Sequence, residues 1–267
     1  MVRLQKMKRE KQLISEKSVK KRKRSRMFGL VVAIDIILLF LLICSGISYA
    51  RDYTPATQTA KTAMYGEGNL LVKETDDYLY FSNEKEKEET TGILFYPGGK
   101  IEEDAYAPLL TELAEEGYEV YLVCMPLKLA VLNKDGAQDI IKEHPEIEHW
   151  VMMGHSLGGA MAANYTAEHP EEIEGLILLA AYSTEDLSES EVSVLSIYGT
   201  EDEVLNMKKY QENFSNLPEN TIEYVIEGGN HANYGYYGEQ KGDGAAEISR
   251  EEQIQQVMDQ IIAWQEN

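Results

Sequence analysis

His149-Trp150-Val151-Met152-Met153-Gly154-His155-Ser156-Leu157-Gly158-Gly159-Ala160 is the stretch on which the reading of the fold turns. Its first five residues are an apolar run of strand character. Gly154-x-Ser156-x-Gly158 is a turn signal, and residues 157–168 are alanine-rich and helix-forming. A serine on a sharp strand-to-helix turn projects its hydroxyl clear of a sheet. Glycines on either side remove Cβ atoms where backbone must pass backbone. The helix start behind the serine offers N–H groups and a positive dipole end to an oxyanion. The pattern alone arises by chance in roughly one chain in ten of this length, so its meaning depends on its surroundings.

The surroundings alternate. Residues 69–73 and 77–82 read as a short antiparallel strand pair, and residues 84–91 as a charged, solvated connection. Strands follow at 92–96, 119–125, 149–153, 175–182, 192–198 and 221–227. Helical spacing falls at 106–116, at 127–144 with a break near Asp135-Gly136, and at 157–168, 205–214 and 251–264. Strands that read as continuous apolar runs between helices indicate an α/β fold, with a mostly parallel sheet covered on both faces. In such sheets ligands sit beyond the carboxyl ends of strands, and Ser156 falls at such an end.

A serine hydroxyl needs a base, and the base an orienting acid. Of the five histidines, His144 and His149 precede the turn, His155 adjoins the serine and His169 ends the following helix. His231, in Gly228-Gly229-Asn230-His231-Ala232 past the last strand, is the candidate base. Tyr198-Gly199-Thr200-Glu201-Asp202-Glu203 follows an earlier strand. Asp202 is preferred by position, with Glu201 and Glu203 as alternatives. The oxyanion donors are the N–H of Leu157 and a second from Pro97-Gly98-Gly99-Lys100, either Gly99 or Lys100. Tyr234 and Tyr236 follow His231 closely; they either wall a substrate pocket or pack on the domain.

Gly154-His155-Ser156-Leu157-Gly158-Gly159, Gly199-Thr200-Glu201-Asp202 and Gly229-Asn230-His231, in that order after a Pro-Gly-Gly loop, resemble the α/β-hydrolase superfamily. The resemblance spans about residues 70–265 and is to its small branch of dienelactone hydrolase-like proteins and simple esterases. It implies an eight-stranded sheet, with Ser156 as nucleophile, His231 as base and acid, and Asp202 as orienter. It implies neither metal nor organic cofactor, and a small-molecule acyl substrate. Two features depart from the pattern. Tyr96-Pro97-Gly98-Gly99 stands where His-Gly is usual, and dienelactone hydrolases proper carry a cysteine nucleophile, so their lactone substrate does not transfer. Only residues 183–191 separate one strand from the next, which leaves no room for a lipase-type helical lid. The expected activity is ester or related acyl hydrolysis. Acyl transfer at the same site, or a non-catalytic binding module on this fold, are the alternatives.

The remaining chain explains the charge. The net charge is −21, yet residues 1–26 carry 12 Lys and Arg against 2 Glu, and the rest 13 against 44 Asp and Glu. Residues 28–49, FGLVVAIDIILLFLLICSGISY, hold one charge, Asp35, and are long enough to cross a bilayer as a helix. The basic cluster at 20–26 directly before them predicts a cytoplasmic tail (1–27) and a single-pass signal anchor (28–49), followed by a stalk (50–68), partly helical near 56–64, and an external domain (69–267). Cleavage near Ala50, releasing a secreted domain, is the second reading, and a lipidated Cys44 the third. An acidic domain argues against nucleic acid as a partner. Cys44 and Cys124 are the only cysteines. The external part therefore has one thiol and no internal disulfide, and Cys124 reads as a buried apolar residue.

Overall fold

The structure is a computed structural model that describes residues 5–7, 9, 20, 27, 34–66, 68–83 and 91–265. The chain divides into two units, Met1–Asp52 and Tyr53–Asn267. In the first, helix α1 (Ile34–Arg51) is apolar, with a mean hydropathy of 1.9, and no part of it is buried against protein. At 1.5 Å per residue its 18 residues span about 27 Å, close to the thickness of a hydrocarbon core. Apart from Lys20, the basic cluster at 20–26 lies outside the described residues, as do residues 28–33.

The second unit is built on one eight-stranded sheet of order β1-β2-β4-β3-β5-β6-β7-β8. Its strands are β1 (Leu70–Glu74), β2 (Tyr78–Asn83), β3 (Thr91–Tyr96), β4 (Glu119–Val123), β5 (His149–His155), β6 (Gly175–Leu179), β7 (Ser193–Gly199) and β8 (Ile222–Ile226). The β1–β2 and β2–β4 pairs are antiparallel. All pairs from β4 across to β8 are parallel.

Alternation along the strands explains their unbroken apolar runs. Ile93, Phe95, Val151, Met153, Ile177 and Leu179 join a core on one face, beneath α2 (Gln58–Ala63), α3 (Ala107–Glu115) and α7 (Arg250–Gln265). Leu94, Tyr96, Trp150, Met152, Leu176 and Leu178 join a second core on the other face. That face is covered by α4 (Ala137–Glu143) and α5 (Leu157–Glu168), with α6 (Met207–Asn213) following β7. With both faces apolar there is no polar period to read. On α3, Leu109, Leu110 and Leu113 are fully buried, each side chain contributing roughly 1.5–3 kcal/mol.

Three expectations need correction or limit. The segment 50–68 is no stalk beyond Asp52. Ala56 and Ala60, four apart, are buried against the domain. The Ala56 N–H donates to Glu102 Oε2 and the Thr57 N–H to the Tyr236 carbonyl. Ala56 just before the helix and Ala60 within it have small side chains that let this segment approach closely, a signal hidden by their low hydropathy. Residues 127–136 are not helical but form two short 3₁₀ turns, Pro126–Lys128 and Ala130–Leu132. Their apolar period does not serve a core, since Leu127, Val131 and Leu132 are exposed. The charged connection at 84–91 lies, apart from Thr91, outside the described residues.

Candidate active site

Ser156 sits between β5 and α5 with φ 54° and ψ −121°, a backbone state that costs a non-glycine residue of order 1–3 kcal/mol. The surrounding packing holds it there. A Cβ on Gly158 would lie 2.1 Å from the Tyr96 carbonyl oxygen, and one on Gly154 2.6 Å from the backbone of Gly158 and Gly159. The Ser156 N–H donates to the Leu179 carbonyl, tying the turn to the end of β6. Leu157 opens α5, where the first N–H groups have no intrahelical acceptor.

Asp202 and His231 come from the loops after β7 and β8 and meet in the interior. Oδ2 of Asp202 accepts from His231 Nδ1 at 2.8 Å, while Oδ1 accepts the N–H groups of Val204 (2.9 Å) and Leu205 (2.7 Å). A carboxylate acceptor assigns the His231 proton to Nδ1 and leaves the lone pair on Nε2. Nε2 is buried and has no hydrogen-bond partner among the described residues. The His155 and His231 ring centroids are 4.6 Å apart, so the histidine loop stands beside the strand end that carries Ser156. No Ser156–His231 hydrogen bond is formed among the described residues; in ligand-free sites such bonds are often long and tighten with substrate. Of the two alternatives to Asp202, Glu201 accepts from Thr200 Oγ1 and Glu203 is exposed.

The loop after β3 discriminates between its amides. The Gly98 N–H donates to the Tyr106 hydroxyl at 2.9 Å and the Lys100 N–H to the Lys128 carbonyl at 2.7 Å. The Gly99 N–H has no protein acceptor among the described residues. A Cβ on Gly99 would lie 2.9 Å from Leu157 Cδ2, so this backbone passes directly over the start of α5.

Tyr234 and Tyr236 depart from a wall of an open pocket. Tyr234 is fully buried, its ring 5.3 Å from that of His155 and its hydroxyl aimed at the Ile197 carbonyl. Tyr236 packs in the same core and its hydroxyl donates to Glu251. Apolar bodies with one polar tip each satisfied inside the fold account for both.

A family model described as the alpha/beta hydrolase family matches residues 92–255. The chain belongs to the alpha/beta hydrolase family. Among solved structures, Est1E from Butyrivibrio proteoclasticus superposes with a TM-score of 0.54 at 13% identity, over 75% of this chain and 100% of that one. MGS-MChE2, an alpha/beta hydrolase enzyme from a sediment metagenome of the Mar Chica lagoon in Morocco, gives 0.53 at 18%, over 72% and 98%. At these identities the likeness is one of fold. A search of curated proteins finds no matching sequence.

Within this alpha/beta hydrolase, three residues that sequence reading missed hold the loops in place. Asp243 accepts backbone N–H groups from both sides: Ala232 (2.8 Å) on Oδ2, and His231 (3.3 Å) and Glu203 (3.4 Å) on Oδ1. It therefore spans the acid loop and the histidine loop. Gln253, fully buried on α7, accepts from the Asn230 N–H and donates to the Asn230 carbonyl, as a paired strand would. A lone glutamine on the apolar face made by Ile254, Val257, Met258 and Ile261 was the available signal. Tyr106 is the third. Its hydroxyl accepts from the Gly98 N–H and shares a hydrogen bond with His155 Nδ1 at 2.8 Å. Burial, then the adjacent His231 ring, holds the His155 imidazole well below its ordinary pKa, so it stays neutral.

Proposed function

We propose that this alpha/beta hydrolase is a serine hydrolase that cleaves an ester or related acyl bond of a small molecule through an acyl-enzyme. The observation that carries the reading is the buried Asp202–His231 pair, whose basic Nε2 is unpartnered beside the turn that holds Ser156 in a strained conformation. Nε2 takes the Ser156 hydroxyl proton as Oγ bonds to the acyl carbon. The oxyanion is held by the N–H groups of Leu157 and Gly99, the amide that the neighbouring hydrogen bonds leave available. Imidazolium His231 then protonates the departing alkoxide, and the alcohol leaves. Water attacks the acyl-enzyme, giving its proton to Nε2; the carboxylic acid is released and Ser156 is reprotonated. Asp202 keeps its proton count throughout and stabilises the imidazolium. The site needs no metal or organic cofactor for these steps.

The chain is held in a membrane by residues 28–49, with the basic tail cytoplasmic and the hydrolase domain outside. The unburied apolar helix α1 supports this reading. Fluorophosphonate labelling of the full-length protein, compared with Ser156→Ala, tests the nucleophile: labelling should disappear in the variant. Equal labelling of both proteins would remove Ser156 from the mechanism. Protease shaving of intact cells tests the topology, and a protected domain would overturn it.

A further inference from the structure

The turns between β4 and α4 carry apolar side chains that the domain does not cover. Leu127, Val131 and Leu132 are 44%, 49% and 52% exposed, while Ala130 among them is fully buried in the core. The backbone fixes this exposure. Leu127 and Lys128 both take the left-handed conformation, φ 55° and 58°, which residues with a Cβ seldom adopt. The Lys128 N–H donates to the Met125 carbonyl, the Leu129 N–H to the Pro126 carbonyl, and the Lys100 N–H to the Lys128 carbonyl. The Ala130–Leu132 turn then packs on α5. Among the described residues of the domain, the other exposed large apolar side chains are Tyr53, Tyr65, Ile222 and Val225, the last two on the edge strand β8.

The chain enters the domain at the same place. Tyr53 is the first residue of the unit, and the Lys128 ammonium lies 5.6 Å from the centre of its ring. The Thr54 N–H donates to the Lys100 carbonyl, and its carbonyl accepts the Glu102 N–H. Only Asp52 separates Tyr53 from Arg51, the last residue of α1. From Tyr49, where the apolar run of residues 28–49 ends, the chain to Tyr53 reaches at most about 14 Å, whatever direction it takes. A bilayer crossed by that run therefore begins within this reach of Tyr53, whose ring Lys128 covers and whose neighbour across that contact is Leu127. Lys128 is paired with Glu103 and brings no bare charge to the patch. The adjoining cleft is acidic: Glu74, Asp76, Asp77 and Asp104 line it beside Pro126. Such a border disfavours attraction to anionic headgroups and leaves the apolar side chains to engage lipid.

We propose that Leu127, Val131 and Leu132 form a docking surface for the bilayer, seated at the boundary between headgroups and acyl chains. The proposal rests on the membrane reading of residues 28–49 and is independent of the serine mechanism. A tether this short holds the surface at high effective concentration beside lipid, so a few side chains accomplish what a free domain would need a larger face to do. Docking also brings the oxyanion loop to the lipid surface. Leu129 of the same turns and Leu157 at the start of α5 flank the Gly99 backbone, 3.8 and 2.9 Å from where a Cβ would stand.

The test uses the full-length chain in phosphatidylcholine nanodiscs, each variant bearing one cysteine labelled with an NBD fluorophore before reconstitution. Cys44→Ser and Cys124→Ala remove the native thiols, and Leu127→Cys, Val131→Cys, Leu132→Cys or Asn220→Cys supplies the label site. Asn220 is exposed ahead of β8, on the far side of the sheet and at the opposite end of the parallel strands from the end of β4. With lipid that carries a nitroxide near its headgroup, emission from the first three sites should fall about twofold or more, and from the fourth by less than about a tenth. Equal quenching at all four sites, or none at the first three, would overturn the proposal. A blue shift at those three without quenching would place a second copy of the chain on the patch and overturn it as well. Val131→Ser combined with Leu132→Ser should reduce quenching at the Leu127→Cys label at least about threefold with an unchanged melting curve; unchanged quenching would count against docking. Quenching should persist at about 0.5 M salt, and its loss there would mean that headgroup charge holds the domain, contrary to the proposal. A chain that keeps only Cys44 reports the anchor separately, with the nitroxide placed deep in the acyl region. Quenching at Cys44 but not at the patch sinks the docking and leaves the anchor; quenching at the patch but not at Cys44 sinks the anchor and leaves the docking.

Discussion

Tyr106→Phe isolates one hydroxyl. The ring keeps its contact with Phe95, 4.8 Å between centroids, and only the oxygen between the Gly98 N–H and His155 Nδ1 is lost. Both partners are buried. An unpaired buried polar group costs about 1–3 kcal/mol, so two of them cost about 2–4 kcal/mol where the surroundings relax partly. For a domain of this size, 1 kcal/mol corresponds to about 2–4 °C, so a loss of about 3 kcal/mol lowers the melting temperature by about 6–12 °C. Activity should suffer separately. The Gly98 bond fixes the peptide next to Gly99, and a misaimed oxyanion donor costs up to 10²–10³ in kcat, so about tenfold is expected for a loosened one. KM for a simple ester should stay nearly constant. Near-UV circular dichroism melts and ester kinetics at saturating substrate read the two effects. A melting temperature within about 2 °C of the parent, with kcat within about twofold, would refute the brace.

Gly158→Ala should destabilise the domain by at least about 3 kcal/mol or prevent its folding, because the new Cβ would press on the Tyr96 and Pro97 carbonyl oxygens at 2.1 and 2.4 Å; a urea midpoint unchanged from the parent refutes the fit. The lowered pKa of His155 makes stability depend on pH in one direction. Above about 6.5 the residue is neutral in both states and contributes no slope, whereas below it the unfolded chain takes up a proton that the folded chain refuses. Stability should fall by up to about 1.4 kcal/mol per pH unit as pH drops below about 6.5, until the folded pKa is reached. Urea titrations of the parent and of His155→Gln check this, since the substitution should flatten that part of the slope. Asp243→Asn leaves one of the Ala232 and His231 N–H groups facing an amide NH₂; kcat should fall about 10-fold or more at constant KM, from the ~1.5–3 kcal/mol of a hydrogen bond to a charged group, and a change confined to melting temperature would reduce Asp243 to a structural role.

The fold was legible because its signals are local. Apolar runs separated by helical spacing report a two-faced parallel sheet, and the glycines around Ser156 are demanded by contacts within a few residues or at the next strand end. Asp202 and His231 could be proposed from their places just past strands, although three adjacent carboxylates left the acid to be chosen by position. Contacts made through backbone were not legible. Whether Gly99 or Lys100 keeps a spare N–H depends on the Lys128 carbonyl, 28 positions away from Lys100 in a segment read as helix. Asp243 lies in Gly-Asp-Gly, which reads as a turn, and its acceptors serve amides far along the chain. The alanines of α2 are too weakly apolar to announce burial, and exposed Leu127, Val131 and Leu132 imitate a helix face that has nothing to cover.

The stitching of the acid and histidine loops has a consequence for how this molecule would respond to temperature and to substrate. The Glu201 N–H donates to the Gly229 carbonyl, the Gly228 N–H to Thr200 Oγ1, and Asp243 joins both sides. The loops that carry Asp202 and His231 are therefore tied to each other. Ser156, Leu157 and the Gly99 backbone packed above them form a second group. Between the two runs a seam bridged at the end of β6, where Ser156 donates to Leu179 and Ala180 to Ile197. On the proposed mechanism, the separation that these hydrogen bonds leave unbridged is the one between Ser156 Oγ and His231 Nε2. A ligand that draws the two halves together need order only that one coordinate, and a substitution anywhere along the seam can detune it without touching a single reacting atom.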